Sequence, residues 1–271
     1  MSLMSTSNLT KETLMKMFLE DKRFDERKLM EFRDFEITYN VSNKAEGSAR
    51  IKLGKTEVIV GVKMAPGAPY PDSMDKGNLI VSGDLLPLAS PRYESGPPDF
   101  PGIELPRLVD RAIRESGMIS MKDLVIKEGE KVWNVFIDVY PINDDGNVID
   151  AACIAAVCAL RNSHVPELDE DGNADYDKKP TKKFPLAKDV NPISFSFFKV
   201  GDAIILDPTR EEEEAADARI TFGASLFKGK LLLNSCQKIG HMPFTHSEIN
   251  NIMDVIPEIF EKVNQKLKKH L

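Results

Sequence analysis

Leu105, Leu108, Val109, Ala112 and Ile113 follow the i, i+3, i+4, i+7, i+8 spacing of a helix seated on a core by one stripe. Arg107, Arg111 and Arg114 repeat at i, i+4, i+7, which puts three guanidinium groups on a second face of that helix. Asp110 and Glu115 interleave with them, so two readings stay open. The face is either solvated, with charges pairing at little energetic consequence, or it binds something.

Other periods fill in the rest. LTKETLMKMFLED predicts a first helix, with Thr10 as N-cap and Leu14, Met17 and Phe18 at helical spacing. Residues 49–53 and 56–62 read as a hairpin around a Gly54-Lys55 turn. NLIVSGDLLPL, MKDLVIKE and VWNVFIDVYPI read as strands. The turn NDDGN leads into DAACIAAVCALRN, apolar on nearly every face and therefore expected to be buried. ISFSFFKV, DAIILD, ARITFGASLF and KLLLNSCQKI are four further strands, followed by a long helix from about Ser247. Thr245 and Glu248 have capping-box spacing there, and Pro257 is expected to kink it.

The polar stretch at 164–185 carries acids first and lysines after, and reads as a mobile linker. The chain then divides into an N-terminal helix (1–20), a first lobe (21–163), the linker (164–185) and a second lobe (186–271). Each lobe runs strands and then a helix, an α+β design of mixed sheets with helices packed against them.

Composition narrows the class. The 271 residues are 42% hydrophobic and 29% charged, enough apolar mass for a sizeable core, and the net charge is −7. A protein that holds nucleic acid alone is usually basic, so any RNA contact here must use local positive charge or a partner's. Cys153, Cys158 and Cys236 form no CxxC and read as reduced and structural; with no signal peptide or apolar run of membrane length, a cytoplasmic protein is expected.

Catalytic machinery is scarce. No Walker A, GxGxxG or GxSxG sequence occurs, and His164, His241, His246 and His270 form no zinc spacing, so neither metal nor cofactor is expected. DEDGNAD is no calcium loop, since its glycine stands at the fourth position and Pro180 occupies the twelfth. EEEEAAD at 211–217 reads as a solvated helix start.

SGDLLPLASPRYESGPPDFPGIELPRLVDRAIRES, VWNVFIDVYPINDDGNVIDAACIAAVCALRN and ILDPTREEEEAADARITFG together resemble the ribonuclease PH family, from about Asp21 onward. The likeness is greatest to the non-catalytic subunits of the archaeal exosome. It implies a two-lobed subunit of the ribosomal-protein-S5-domain-2-like kind, alternating with a catalytic sister in a ring of three heterodimers beneath RNA-binding cap subunits. Such a ring degrades single-stranded RNA from its 3′ end with inorganic phosphate. In active members the turn after the long strand carries Gly, then Ser or Thr, then Arg, and cradles phosphate at a helix N-terminus. Here it reads Gly146, Asn147, Val148, with Asp145 and Asp150 expected to place negative charge in the pocket. Asp217 aligns with the active pattern's acid. The resemblance assigns Arg107 and Arg111 to RNA phosphates at the boundary with the sister subunit, leaving Arg114 open between RNA and protein. Two alternatives stand beside this reading: an autonomous phosphorolytic exoribonuclease, and a ring scaffold that touches no RNA.

Overall fold

The computed structural model describes residues 6–271; the first five residues of the expected N-terminal region lie outside the described residues. Helix α1 (Asn8–Leu19) begins one turn earlier than its spacing suggested. Its N-cap is Ser7, whose hydroxyl accepts the Thr10 amide at 3.1 Å, so Thr10 sits inside the first turn.

The first sheet grows from period-two alternation. Its strands are β1 (Phe35–Tyr39), β2 (Gly47–Leu53), β3 (Thr56–Gly67) and β4 (Asn78–Gly83); after helix α2 (Phe100–Ser116) come β5 (Val125–Lys127) and β6 (Lys131–Asn143). The order is β1-β2-β3-β6-β4, with β5 also on β6. Only β4 runs parallel to β6. Leu53 pairs with Thr56 across the expected Gly54-Lys55 turn. Along β3, Val58, Val60, Val62 and Met64 all point into the core. The expected strand at MKDLVIKE is mostly a 3-10 turn (Met121–Leu124), with only β5 extended.

Helix α3 (Val148–Arg161) packs on β2 and β3, and its other side meets β11 (Ile193–Val200) of the second sheet. Every residue from Asp150 to Leu160 is buried. A helix with this composition has no water-compatible face, so both sheets must close on it. The second sheet adds β12 (Ala203–Leu206), β13 (Ala218–Phe227) and β14 (Lys230–Gly240), ordered β12-β11-β13-β14 and antiparallel throughout. All eight residues of β11 are buried. Helix α5 (His246–Lys268) covers its outer side, with Phe260 edge-on to Phe195 at 6.3 Å. Its capping box is the expected Thr245–Glu248 pair, and Pro257 lies within the helix without ending it. Main-core residues from both sheets form one cluster. A smaller one, around Leu14, Phe18, Phe198 and Val200, seats α1.

Residues 164–185 carry more structure than a free linker. Within them lie β7 (His164–Val165), β8 (Glu167–Leu168), β9 (Ala174–Asp175) and β10 (Lys182–Lys183), paired β10 with β7 and β8 with β9. Val165, Leu168 and Ala174 pack on the main core and Phe184 is buried within it. The Tyr176 hydroxyl donates to the Met64 carbonyl at 2.9 Å while the Lys63 ammonium sits 3.7 Å above its ring. These few apolar residues follow no period, which is why charge dominated the pattern.

The lobes are also joined by buried charge. Asp207 has no exposed side chain and sits at φ 49. It accepts from the Arg33 backbone amide at 2.7 Å, Arg33 Nε at 2.9 Å and Arg33 Nη2 at 2.8 Å. Arg33 also donates to the carbonyls of Asp145, Gly146 and Pro208. Beside it, the fully buried Arg23 forks onto Glu212 and caps the carbonyls of Leu206 and Asp207. Burial works against the Asp207 charge, but the Arg33 and Arg27 guanidiniums hold its carboxyl below the ordinary range. Asp207→Ala should therefore strand Arg33 and cost about 3–5 kcal/mol in urea unfolding. A loss under about 1 kcal/mol would show that this network is not what joins the lobes.

Candidate functional site

Helix α2 starts where Asp99 caps the Gly102 amide at 3.1 Å and stops at Gly117, which is left-handed at φ 68. The five stripe residues are all buried, as the spacing requires. On one flank the buried Glu104 accepts from Arg219 at 2.6 Å and Gln237 at 2.7 Å, tying the helix to β13 and β14. On the other flank the three arginines separate. Arg114 is committed: it grips Asp110 at 3.0 and 2.6 Å and donates to the Leu79 carbonyl at 2.9 Å. Arg107 and Arg111 are exposed and make no ion pair or hydrogen bond among the described residues. Cys236 is exposed on β14 on the Arg111 side; Cys153 and Cys158 are buried, which pushes their thiols up to about 11 and about 12.

The turn between β6 and α3 is pinned from all sides. Asp144 accepts the Gly146 amide at 3.0 Å, Arg92 at 2.9 and 2.5 Å, and the Tyr93 hydroxyl at 2.6 Å. Thr56 donates to the Gly146 carbonyl at 2.6 Å. Gly146 is at φ 86, and a Cβ there would stand 2.5–2.6 Å from the backbone of Pro208, Thr209 and Arg210, so only glycine fits. Asn147, also left-handed at φ 56, sends its amide N–H to Glu213 Oε2 at 2.7 Å. Its side-chain amide nitrogen bridges Asp150 at 2.8 Å and Asp207 at 2.6 Å. Val148 is buried in the main core.

Two expectations about charge need correction. Asp150 does not face a pocket. It is fully buried between α3 and β11, where it accepts the Ser196 amide and hydroxyl, each at 2.9 Å. Asp217, aligned with the active pattern's acid, pairs with Lys11 of α1 at 2.5 Å and accepts the Gly201 amide at 2.9 Å. Burial opposes its charge, yet these two donors hold its carboxyl below the usual range. Finally, helix α4 (Arg210–Ala215) is not simply a solvated start. Glu212 is buried on Arg23, and Glu213 reaches the first free amide of α3. Four consecutive glutamates in a six-residue helix offer no contrast to tell inward from outward. The charge at the turn therefore comes from Glu213, with Asp145 half-buried nearby and its carboxyl raised by burial despite Arg33. A cavity of about 320 Å³ opens here, lined by Arg92, Asn147, Val148, Phe198, Glu213 and Arg219 among others. Among the described residues no acidic, His or Cys cluster suits a metal, and no helix is long and apolar enough to cross a membrane.

Two sheets closed on one buried helix, with a glycine turn at that helix's N-terminus, define a two-domain α+β protein of ribonuclease PH type. The chain belongs to the 3′ exoribonuclease family: domain 1 of that family matches residues 31–166 and domain 2 matches residues 191–255. It is 42% identical over 250 residues to the exosome complex component Rrp42 of Archaeoglobus fulgidus, covering 92% of each chain. The Pyrobaculum aerophilum Rrp42 is 40% identical, covering 98% of this chain and 95% of that one. Among solved structures, a chain of the Archaeoglobus fulgidus exosome with RNA bound to the active site superposes with a TM-score of 0.87 at 40% identity, covering 96% and 98% of the two chains.

Burial pushes the Asp150 carboxyl up to about 7, against its hydrogen bonds from Asn147 and Ser196. A carboxyl raised in the fold favours the folded state most at pH values below its ordinary unfolded pKa. That contribution is lost as pH rises through about 7. Asp150→Asn can keep the geometry, because its oxygen can take the two amide donors while its NH₂ faces Ser196 Oγ, which can in turn donate to Thr221. The parent should lose on the order of 2 kcal/mol more than the variant between pH 5 and pH 8. Urea unfolding followed by the single tryptophan, Trp133, measures this; parallel profiles would mean that Asp150 is ionised throughout.

Proposed function

We propose that this chain is a non-catalytic, RNA-contacting subunit of an archaeal-type exosome core. It alternates with a catalytic ribonuclease-PH-like sister in a trimer of heterodimers, beneath RNA-binding cap subunits. One observation carries the reading: the α3 N-terminus, where an attacking phosphate would need its donors, is already occupied by the chain's own Glu213 carboxylate. Val148 supplies no cation in that turn, and Asp217, the residue aligned with the family's acid, is engaged by Lys11. An acid without a phosphate pocket cannot run phosphorolysis. The contribution to RNA is positional. Among the described residues Arg107 and Arg111 are free cations, in a chain of net charge −7, at the spacing suited to gripping backbone phosphates. Arg114 drops out of this role, because its guanidinium is already engaged.

The purified chain, incubated with single-stranded RNA and inorganic phosphate, should release no nucleoside diphosphate. Sustained release from the chain alone would overturn the non-catalytic reading and favour an autonomous exoribonuclease.

Co-expression with a catalytic sister, mass measurement and a phosphate-dependent degradation assay test the remainder. Arg107→Ala with Arg111→Ala should leave ring assembly intact, since the buried stripe is untouched, yet slow RNA degradation. Each lost charge-assisted contact costs about 1.5–3 kcal/mol, so a drop of about tenfold or more per residue is expected, with little dependence on RNA sequence. Degradation at the parental rate by an assembled ring would leave the scaffold reading standing.

A further inference from the structure

Helix α2 opens with an aromatic ring that the fold leaves in water. Phe100 is 60% exposed, more than any other aromatic among the described residues, and makes no ring contact with them. Single surface hydrophobics are ordinary. This one has neighbours. Ile103, one turn on, is 49% exposed, and helical spacing puts Phe100, Ile103, Arg107, Arg111 and Arg114 within about 80° of one another around the axis. One exposed face therefore carries two apolar side chains followed by guanidiniums. Asp110, at its border, is gripped by Arg114 at 2.6 Å, and Arg107 and Arg111 have no partner among the described residues. The backbone beneath the ring is held as well. Asp99 accepts the Gly102 amide on its side chain at 3.1 Å and the Ile103 amide on its carbonyl at 3.0 Å, and Pro101 fixes the next φ. A ligand that uses this ring pays little to order it.

A strand of nucleotides laid along the face meets cations and then a flat apolar surface. Arg111 and Arg107 stand about 6 Å apart along the axis, and Phe100 about 10 Å beyond Arg107. Cations that track a backbone, beside an aromatic that takes a base, are how single strands are held without regard to sequence. We propose that Phe100 is a base-stacking platform: a nucleobase of single-stranded RNA lies on its exposed ring, Ile103 extends the apolar surface, and Arg107 and Arg111 hold neighbouring phosphates. The inference rests on the reading of those two arginines as RNA contacts and supplies what that reading lacks. A guanidinium answers to charge alone, so it does not tell RNA from another polyanion. A ring does, because it answers only to a ligand that carries bases.

Binding of oligoadenylate, and of an abasic strand of equal length, to the ring assembled with a catalytic sister tests this; buffer free of inorganic phosphate keeps the RNA intact. Phe100→Ala should weaken oligoadenylate binding about fivefold or more, leave the abasic strand's binding unchanged, and keep the parental salt dependence, since no phosphate contact is lost. Arg107→Ala should instead weaken both strands and flatten the salt dependence, so the stacking claim and the phosphate claim fail separately. Phe100→Trp should bind oligoadenylate at least as tightly as the parent. Its added indole should lose emission on titration with oligoadenylate but not with the abasic strand, against a steady background from the buried Trp133. Parental oligoadenylate affinity in Phe100→Ala, or an equal loss on both strands, would overturn the proposal. Failure of Phe100→Ala to reach the parental ring mass would overturn it too, by making this face a protein interface.

Discussion

Asp207 holds a carboxylate out of water at the point where the N-terminal segment, the α3 turn and the second sheet converge, and most of the molecule is arranged to keep that charge paired. Desolvating one such ion costs several kcal/mol, and only a near-ideal partner offsets it. Arg33 provides that partner from the segment just before β1, and Asn147 adds a donor from the turn itself. Because each donor comes from a different part of the chain, the carboxylate can be satisfied only when both halves are in place. Hydrophobic burial around α3 supplies the larger stabilisation. The Asp207 network supplies the register, since oily surfaces slide and forked hydrogen bonds do not.

The same network explains why the α3 turn keeps its shape in the absence of a ligand. Gly146 and Asn147 hold left-handed conformations that cost free energy unless the surroundings fix them. Arg33 and Thr56 fix the Gly146 carbonyl, Asp144 fixes its amide, and Glu213 fixes the amide of Asn147. Positive charge has meanwhile been left free on α2. Within an acidic chain, two guanidiniums with no partner among the described residues, on one exposed helix face, form a local field of opposite sign, which screening confines to about 10 Å.

Much of this was legible in the sequence, and the remainder was hidden for definite reasons. Amphipathic spacing located α2 and α5, alternation located β3 and β6, and an all-apolar run marked α3 as buried. Those signals depend on neighbours in the chain. The orientation of Asp150, Glu213 and Asp217 depends on contacts with residues 46, 66 and 206 positions away, and no local period encodes them. Arg114 illustrates the finer limit. Its partner Asp110 stood in plain view at i−4, but so did the same acid for Arg107 at i+3, and only the Leu79 carbonyl decides between them. The 164–185 stretch misled because its apolar residues are few and scattered, although β3 and the main core give them a seat.

The enclosure of α3 has a consequence for how the chain is made. On a ribosome the N-terminal half emerges first, and by the time Arg161 appears the helix can lean only on elements that precede it, chiefly β2, β3 and α2. Its opposite side waits for β11, which begins at Ile193, about thirty residues later. At synthesis rates of about 5–20 residues per second that leaves an oily surface uncovered for roughly 2–6 seconds. Hydrophobic collapse takes microseconds, so the nascent chain has ample opportunity to associate wrongly. The charged 164–185 stretch is the part translated during that interval, and it tethers a highly soluble segment directly to the exposed helix.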